Sequence, residues 1–313
     1  MFSRITGTGS YLPQKILTNF DLEKMMDTSH AWILERTGIE ERRIAEPEKN
    51  ETVTMMGKIA AERAMEQAGV KAKDIDLIIV ATCSPDLVFP ATACMIQEAL
   101  NVPPCPAFDI QAVCSGFVYG LSTIDQFIRA GSAKTALLIG TEAMSRIVDW
   151  NDRSTCILFG DGAGACVIQA SEAPGILRTD LGADGRYGNL LYLNNNPLGS
   201  LSMQGNSIFK LAVNMLGSIA NDTLAKQNLK ASDLDWLLPH QANSRIIQAT
   251  VDKLGFSMDK VVTTVHKHGN TSAASIPLAL DEYVREGRIV KGQHVLLEAF
   301  GGGLTWGTAL LKY

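Results

Sequence analysis

The sequence has no low-complexity tract, no Pro/Ser-rich linker and no apolar run long enough to span a membrane. Long disorder is excluded, because 46% of the residues are hydrophobic and only 19% charged. Charges or turn residues interrupt every apolar stretch before it reaches the length of a membrane span. The opening MFSRITGTGSYLP lacks the apolar core of a secretory signal, so a cytoplasmic protein is expected. Basic clusters are missing too. With 28 Lys and Arg against 33 Asp and Glu the net charge is −5, which argues against nucleic acid as the main partner. An acidic protein could still dock on a local basic patch. The six cysteines form no CxxC pair and read as reduced thiols, mostly small core residues, with no metal site expected.

What the 313 residues do contain is alternation. Apolar strand-like runs at 76–82, 135–140, 164–169, 294–299 and 307–312 are interleaved with amphipathic helical stretches at 52–68, 115–130, 207–226, 244–254 and 278–286. That pattern predicts an α/β fold with a mostly buried sheet. The chain also resembles itself. Residues 61–78 align with 220–237 at a shift of 159 positions, with Ala61/Ala220, Lys71/Lys230, Ala72/Ala231, Asp74/Asp233 and Asp76/Asp235 identical. The same shift lays TALLI (135–139) on HVLLE (294–298). Two helix–turn–strand units can look alike by chance, but two matches at one shift favour duplication. We therefore expect an N-terminal half over 1–170 and a C-terminal half over 171–313, with an active site drawn from both.

Three residues stand out chemically. Cys114, in FDIQAVCSGFVYGL, follows a short β-prone run and opens a long helix. The positive end of a helix favours thiolate, so a lowered pKa and a nucleophilic role compete here with a buried structural cysteine. His240, in LLPHQANSR, ends the apolar strand of the second repeat, where α/β sheets present functional groups; a surface-loop histidine is the plainer alternative. Asn270, in KHGNTSAAS, lies in a turn before a helix and would serve equally as a capping asparagine. His266 and His268 beside it are not expected to hold a metal. The glycines of FGGGLTWG (300–307) either let backbone approach a ligand and offer N–H groups to an oxyanion, or simply make a tight strand–strand turn. The other glycine-rich stretch, FGDGAGA (159–165), lacks a phosphate-loop continuation and carries no nucleotide role.

Taken in order and spacing, AVCSGF, PHQAN, HGNTSAAS and the terminal FGGGLTWG resemble the β-ketoacyl-acyl-carrier-protein synthase III family over essentially the whole chain. The resemblance implies a thiolase-like, five-layered αβαβα fold made of two similar halves, and a homodimer. It implies an acyltransferase that condenses an acyl group from acyl-CoA with malonyl-acyl carrier protein, without a cofactor. Cys114 would be the nucleophile, and His240 and Asn270 would hold the malonyl thioester oxygen. The backbone of Cys114 and Gly302 would form the oxyanion hole, with Phe300 screening the pocket from water. Phe89, from the partner subunit, and Met144 would shape the acyl pocket, and the bulk of Phe89 favours a short primer. The resemblance carries CoA binding onto Thr28, Trp32, Arg36, Arg153 and Asn243, and the CoA phosphate or the acidic carrier onto Lys210 and Arg245. Ser154, where a glycine is common, and Asp252-Lys253, where a lysine pair is common, depart from the family pattern.

Other readings are weaker. A synthase-III-like enzyme of secondary metabolism with another acceptor would share every motif. A papain-like hydrolase has the order Cys, His, Asn, but CGSCW is absent and the doubled pattern is wrong. A non-catalytic carrier-binding scaffold would have no need of the intact triad.

Overall fold

The computed structural model describes residues 1–195 and 198–313. Two sheets form its frame. The first is built from β1 (Phe2–Tyr11), β2 (Leu77–Ala81), β3 (Ala107–Ile110), β4 (Thr135–Ala143) and β5 (Asp161–Ser171), in the order β1-β5-β4-β2-β3. The second uses β6 (Ile176–Ala183), β7 (Trp236–Pro239), β8 (His294–Gly301) and β9 (Thr305–Lys312), in the order β7-β8-β9-β6. The second order repeats the first strand for strand, with β6, β7, β8 and β9 in the places of β1, β2, β4 and β5. Even the edge is echoed, since Val261 bridges Leu237 in parallel where β3 pairs with β2.

Helices lie on both faces of both sheets. Strand residues alternate between faces. Leu77, Ile79 and Leu138 thus join Val295 and Leu297 in a central core around α2 (Gly116–Arg129) and α5 (Ser275–Arg285). Ile78, Val80, Leu137 and Ile139 face the opposite way, onto α1 (Val53–Ala68). Leu296 and Leu310 look outward from the second sheet, onto α3 (Gly205–Ala225) and α4 (Ser244–Leu254). The result is five layers, αβαβα. Every residue of β2 and β4 is buried, which is why those runs read as continuous apolar segments rather than as alternation.

The identities at the 159 shift have a physical purpose. Asp74 and Asp233 each accept the backbone N–H of the lysine three residues earlier, closing matching one-turn helices. Asp76 accepts from the Lys134 and Thr135 N–H groups, and Asp235 accepts from His294 N–H. Each aspartate pins the start of its β2- or β7-type strand to the neighbour that pairs with it. The glycines at 159–165 are structural as well. Gly164 lies in β5, and a Cβ there would stand 2.6 Å from Leu278 N, so its absence lets α5 rest directly on the first sheet. Sequence periodicity misses the ten-residue β1, the helices His30–Thr37 and Thr92–Ala99, and two small ribbons that flank the site. These elements are short or Gly/Ser-rich, so their patterns are weak.

Candidate active site

Cys114 sits in the tight turn Val113–Ser115 that feeds α2, and it is buried. Val113 before it has φ 49°, a left-handed conformation costly for a β-branched residue, so the surrounding packing must hold it. His240 directly follows β7, its N–H donating to Glu298 O at 2.7 Å. Asn270 precedes the turn Ser272–Ala274 that opens α5. Its backbone is fastened at both ends: its N–H donates to Leu158 O (2.8 Å) and its carbonyl accepts from Gly160 N–H (3.0 Å). All three side chains line one cavity of about 440 Å³, and none is more than 7% exposed.

The donors are fixed by neighbours that the sequence motifs contain but do not single out. Ser272 N–H donates to Asn270 Oδ1 at 2.9 Å, which commits the amide oxygen and leaves Nδ2 free to donate. Asn270 is therefore a local turn residue as well as a site residue; the N-cap of α5 is Ala274. Ser275 Oγ lies 2.6 Å from His240 Nδ1 and accepts from Gln241 N–H at 3.4 Å. When the Ser275 hydroxyl donates to Nδ1, the imidazole proton sits on Nε2. Burial pulls His240 down to about 3, so the ring is neutral at pH 7. His240 and Asn270 are thus two uncharged, preset donors.

The state of the cysteine differs from the sequence expectation. The helix terminus suggests a lowered pKa, but burial pushes the Cys114 thiol up to about 12; a Ser272 hydrogen bond opposes the push and the Glu142 charge adds to it. Desolvation removes more from the thiolate than the end of α2 returns. Glu142 is itself wholly buried at the end of β4. It accepts from Thr82 Oγ1, the Cys83 and Ser84 N–H groups, and Ala273 N–H. No local pattern marks Glu142, because every one of these partners is distant in sequence.

The remaining candidates fall into two groups. Met144, Phe300, Trp32, Arg36, Asn243 and Arg245 line the same cavity, together with Ser154. The Arg36 and Arg153 guanidinium carbons stand 4.7 and 5.3 Å from the centroid of the Trp32 ring, while Arg245 lies 5.7 Å over Phe209. Thr28, Lys210 and Phe89 do not line it. Thr28 precedes the helix of Trp32, Lys210 is exposed on α3, and Phe89 is 83% exposed on the loop after β2. Lys253 is tied to Asn214. Gly301, rather than Gly302, abuts the nucleophile's backbone: a Cβ there would stand 2.9 Å from Cys114 N, whereas one on Gly302 would meet Leu191. Of the six thiols only Cys114, Cys156 and Cys166 are buried. His268 packs with its Nε2 3.5 Å from Glu282, and His266 is exposed.

Known proteins resemble this chain in sequence and fold. Residues 108–185 match the family model for 3-oxoacyl-[acyl-carrier-protein (ACP)] synthase III, and 224–313 match the model for its C-terminal part. A β-ketoacyl-[acyl-carrier-protein] synthase III of Thioalkalivibrio sulfidiphilus is 57% identical, the match covering 100% of this chain and 99% of the relative. The chain belongs to the 3-oxoacyl-[acyl-carrier-protein] synthase III family. Among solved structures, the synthase III of Aquifex aeolicus VF5 superposes with a TM-score of 0.96 at 48% identity, covering 99% of this chain and 100% of that one. The synthase III of Pseudomonas aeruginosa PAO1 gives 0.95 at 39%, covering 100% and 98%. The fold is accordingly the thiolase-like one of those enzymes. Among the described residues, no helix is long and apolar enough to cross a membrane.

Proposed function

We propose that the chain is the initiating condensing enzyme of type II fatty acid synthesis, with Cys114, His240 and Asn270 as its catalytic residues. Cys114 sulfur attacks the thioester carbon of an acyl-CoA, acetyl in the first instance. The new C–S bond forms, the old one breaks, and CoA leaves as the thiol carrying the cysteine's proton. Malonyl-acyl carrier protein then enters. Its carboxylate leaves as CO2, the electron pair passes into an enolate, and His240 Nε2–H and Asn270 Nδ2–H donate to the enolate oxygen. The enolate carbon attacks acyl-Cys114, the C–S bond to the enzyme breaks with the sulfur leaving as thiolate, which takes a proton from water, and 3-ketoacyl carrier protein departs. The backbone of Cys114 and Gly302 would serve the tetrahedral oxyanion. No cofactor enters this sequence.

The observation that carries the reading is the pairing of a neutral, Ser275-held imidazole with a Ser272-held amide in one buried cavity beside Cys114. Fixed uncharged donors stabilise charge that appears only during reaction, which is where catalytic binding is effective. In this reading Trp32, Arg36, Arg153, Thr28 and Asn243 hold CoA, and Lys210 and Arg245 meet phosphate or the acidic carrier. Residues 1–170 form the half with the nucleophile, and 171–313 the half with both donors. A cytoplasmic homodimer in which Phe89 and Met144 limit the partner's and its own acyl pocket, with Phe300 as the water screen, completes it. Incubation with acetyl-CoA should add one acetyl group to the Cys114 peptide, absent in Cys114→Ser, and malonyl-acyl carrier protein should then discharge it as acetoacetyl carrier protein. Labelling without discharge would move the function to a secondary-metabolism acceptor, and no labelling by any acyl-CoA would refute it.

A further inference from the structure

One buried hydroxyl stands between the nucleophile and a second thiol. Ser272 Oγ is 3.6 Å from Cys114 Sγ and 3.6 Å from Cys83 Sγ, within hydrogen-bond reach of sulfur on both sides. Ser272 is wholly buried, and its backbone is left-handed at φ 48°. Such a conformation places a side chain where an ordinary turn would not, and a non-glycine residue keeps it only when the surroundings enforce it.

The hydrogens can be assigned. Cys83 S–H donates to Glu142 Oε1 at 3.3 Å, which leaves the Cys83 sulfur lone pairs facing Ser272. While Cys114 is a thiol, the Ser272 O–H therefore points to Cys83 sulfur, and its lone pairs accept Cys114 S–H. Once Cys114 loses its proton, to water in the free enzyme or to the departing CoA sulfur, its own sulfur needs a donor, while Cys83 S–H stays on Glu142. The hydroxyl is then free to turn. The titratable groups around the thiol are Glu142 from β4, Cys83 from the loop after β2, and neutral His240 after β7. None of these is a cation, so a neutral donor is what remains.

We propose that Ser272 is a positioning residue for the nucleophile, whose hydroxyl turns its hydrogen from Cys83 sulfur to Cys114 sulfur and so stabilises the thiolate that attacks acyl-CoA. The proposal rests on Cys114 being the nucleophile, as inferred above. In the resting thiol the hydroxyl is an acceptor, and in the reactive thiolate it is a donor. The difference between those two states is what lowers the barrier.

The test is the pH dependence of Cys114 alkylation by iodoacetamide without substrate, read by peptide mass spectrometry. Ser272→Ala removes the hydroxyl alone, whereas Ser272→Gly suits the left-handed backbone and keeps the N–H on Asn270 while removing the hydroxymethyl group. Its alkylation profile should shift to higher pH, with the rate at pH 7 lower by ~3- to 10-fold. Acetyl transfer should fall in parallel, while decarboxylation of malonyl carrier protein should change less than ~2-fold. Ser272→Ala is the second variant should the glycine chain fail to fold. An unmoved profile overturns the proposal, and so does a uniform slowing at every pH, which would mean that Ser272 is only a wall. Because alkylation needs no acyl-CoA, a failure of the proposed function would appear separately, as absence of acetyl transfer in the unaltered protein.

Discussion

Val113 and Ser272 stand 159 positions apart and hold the same left-handed backbone, φ 49° and 48°. Each opens a one-turn helix that runs into one of the two central helices, α2 and α5. The first turn carries Cys114 at its next position and the second carries Ala273. The two elbows are equivalent in place and backbone, and one of them carries Cys114. The other brings Ser272 to it and places Asn270 and Ser275 on either side. The asymmetry of chemistry arises on a symmetric frame.

Gly301 should be intolerant of any side chain. A Cβ would stand 2.9 Å from Cys114 N, 3.0 Å from Ala112 O and 3.1 Å from Ser115 N, all backbone atoms that cannot swing aside. Gly301→Ala should cut condensation by ~100-fold, as displacement of a reacting group by about an ångström does. Circular dichroism should show a folded protein, and Cys114 alkylation should change with it.

Ser275→Ala should separate the two half-reactions. Loss of the 2.6 Å bond to His240 Nδ1 frees the ring to take the other tautomer and to rotate. Malonyl decarboxylation is expected to drop by ~10- to 100-fold, the usual effect of losing an orienting partner. Acetyl transfer to Cys114, followed by mass, should stay within ~3-fold.

Trp32 should govern CoA affinity more than turnover. Its ring lies under both Arg36 and Arg153, and Arg153 also bridges to Asp27 Oδ2 at 3.4 Å. In Trp32→Ala the KM for acetyl-CoA should rise by ~10-fold with kcat within ~2-fold, a loss of uniform binding. Equal loss in kcat would place the ring nearer the chemistry.

Glu298 should make the fold sensitive to alkali. Both its carboxyl oxygens are buried without a partner among the described residues, and burial raises its pKa from 4.5 to about 8. Between those values the folded chain keeps a proton that the unfolded chain releases. Its stabilising contribution is full below pH 4.5 and is lost as pH rises through about 8. Melting between pH 5 and 9 should fall more steeply in the unaltered protein than in Glu298→Gln, by on the order of 5 °C.

The sequence by itself determined the layered frame and the identity of the reacting groups. Apolar runs of strand length, glycine stops and the aspartates at 74 and 233 are local signals, because periodicity and short-range hydrogen bonds act over a few residues. The motifs around Cys114, His240 and Asn270 were legible for the same reason. Only the tertiary structure decided the burial of the thiol and of the imidazole and the partners that hold both. Cys114 and Ser272 are 158 positions apart, and Glu142 and Ala273 are 131 apart, so no window of sequence contains either pair. Burial is a property of the whole packed chain as well. It outweighs the helix terminus at Cys114 and holds His240 neutral because desolvation depends on everything that closes over the cavity.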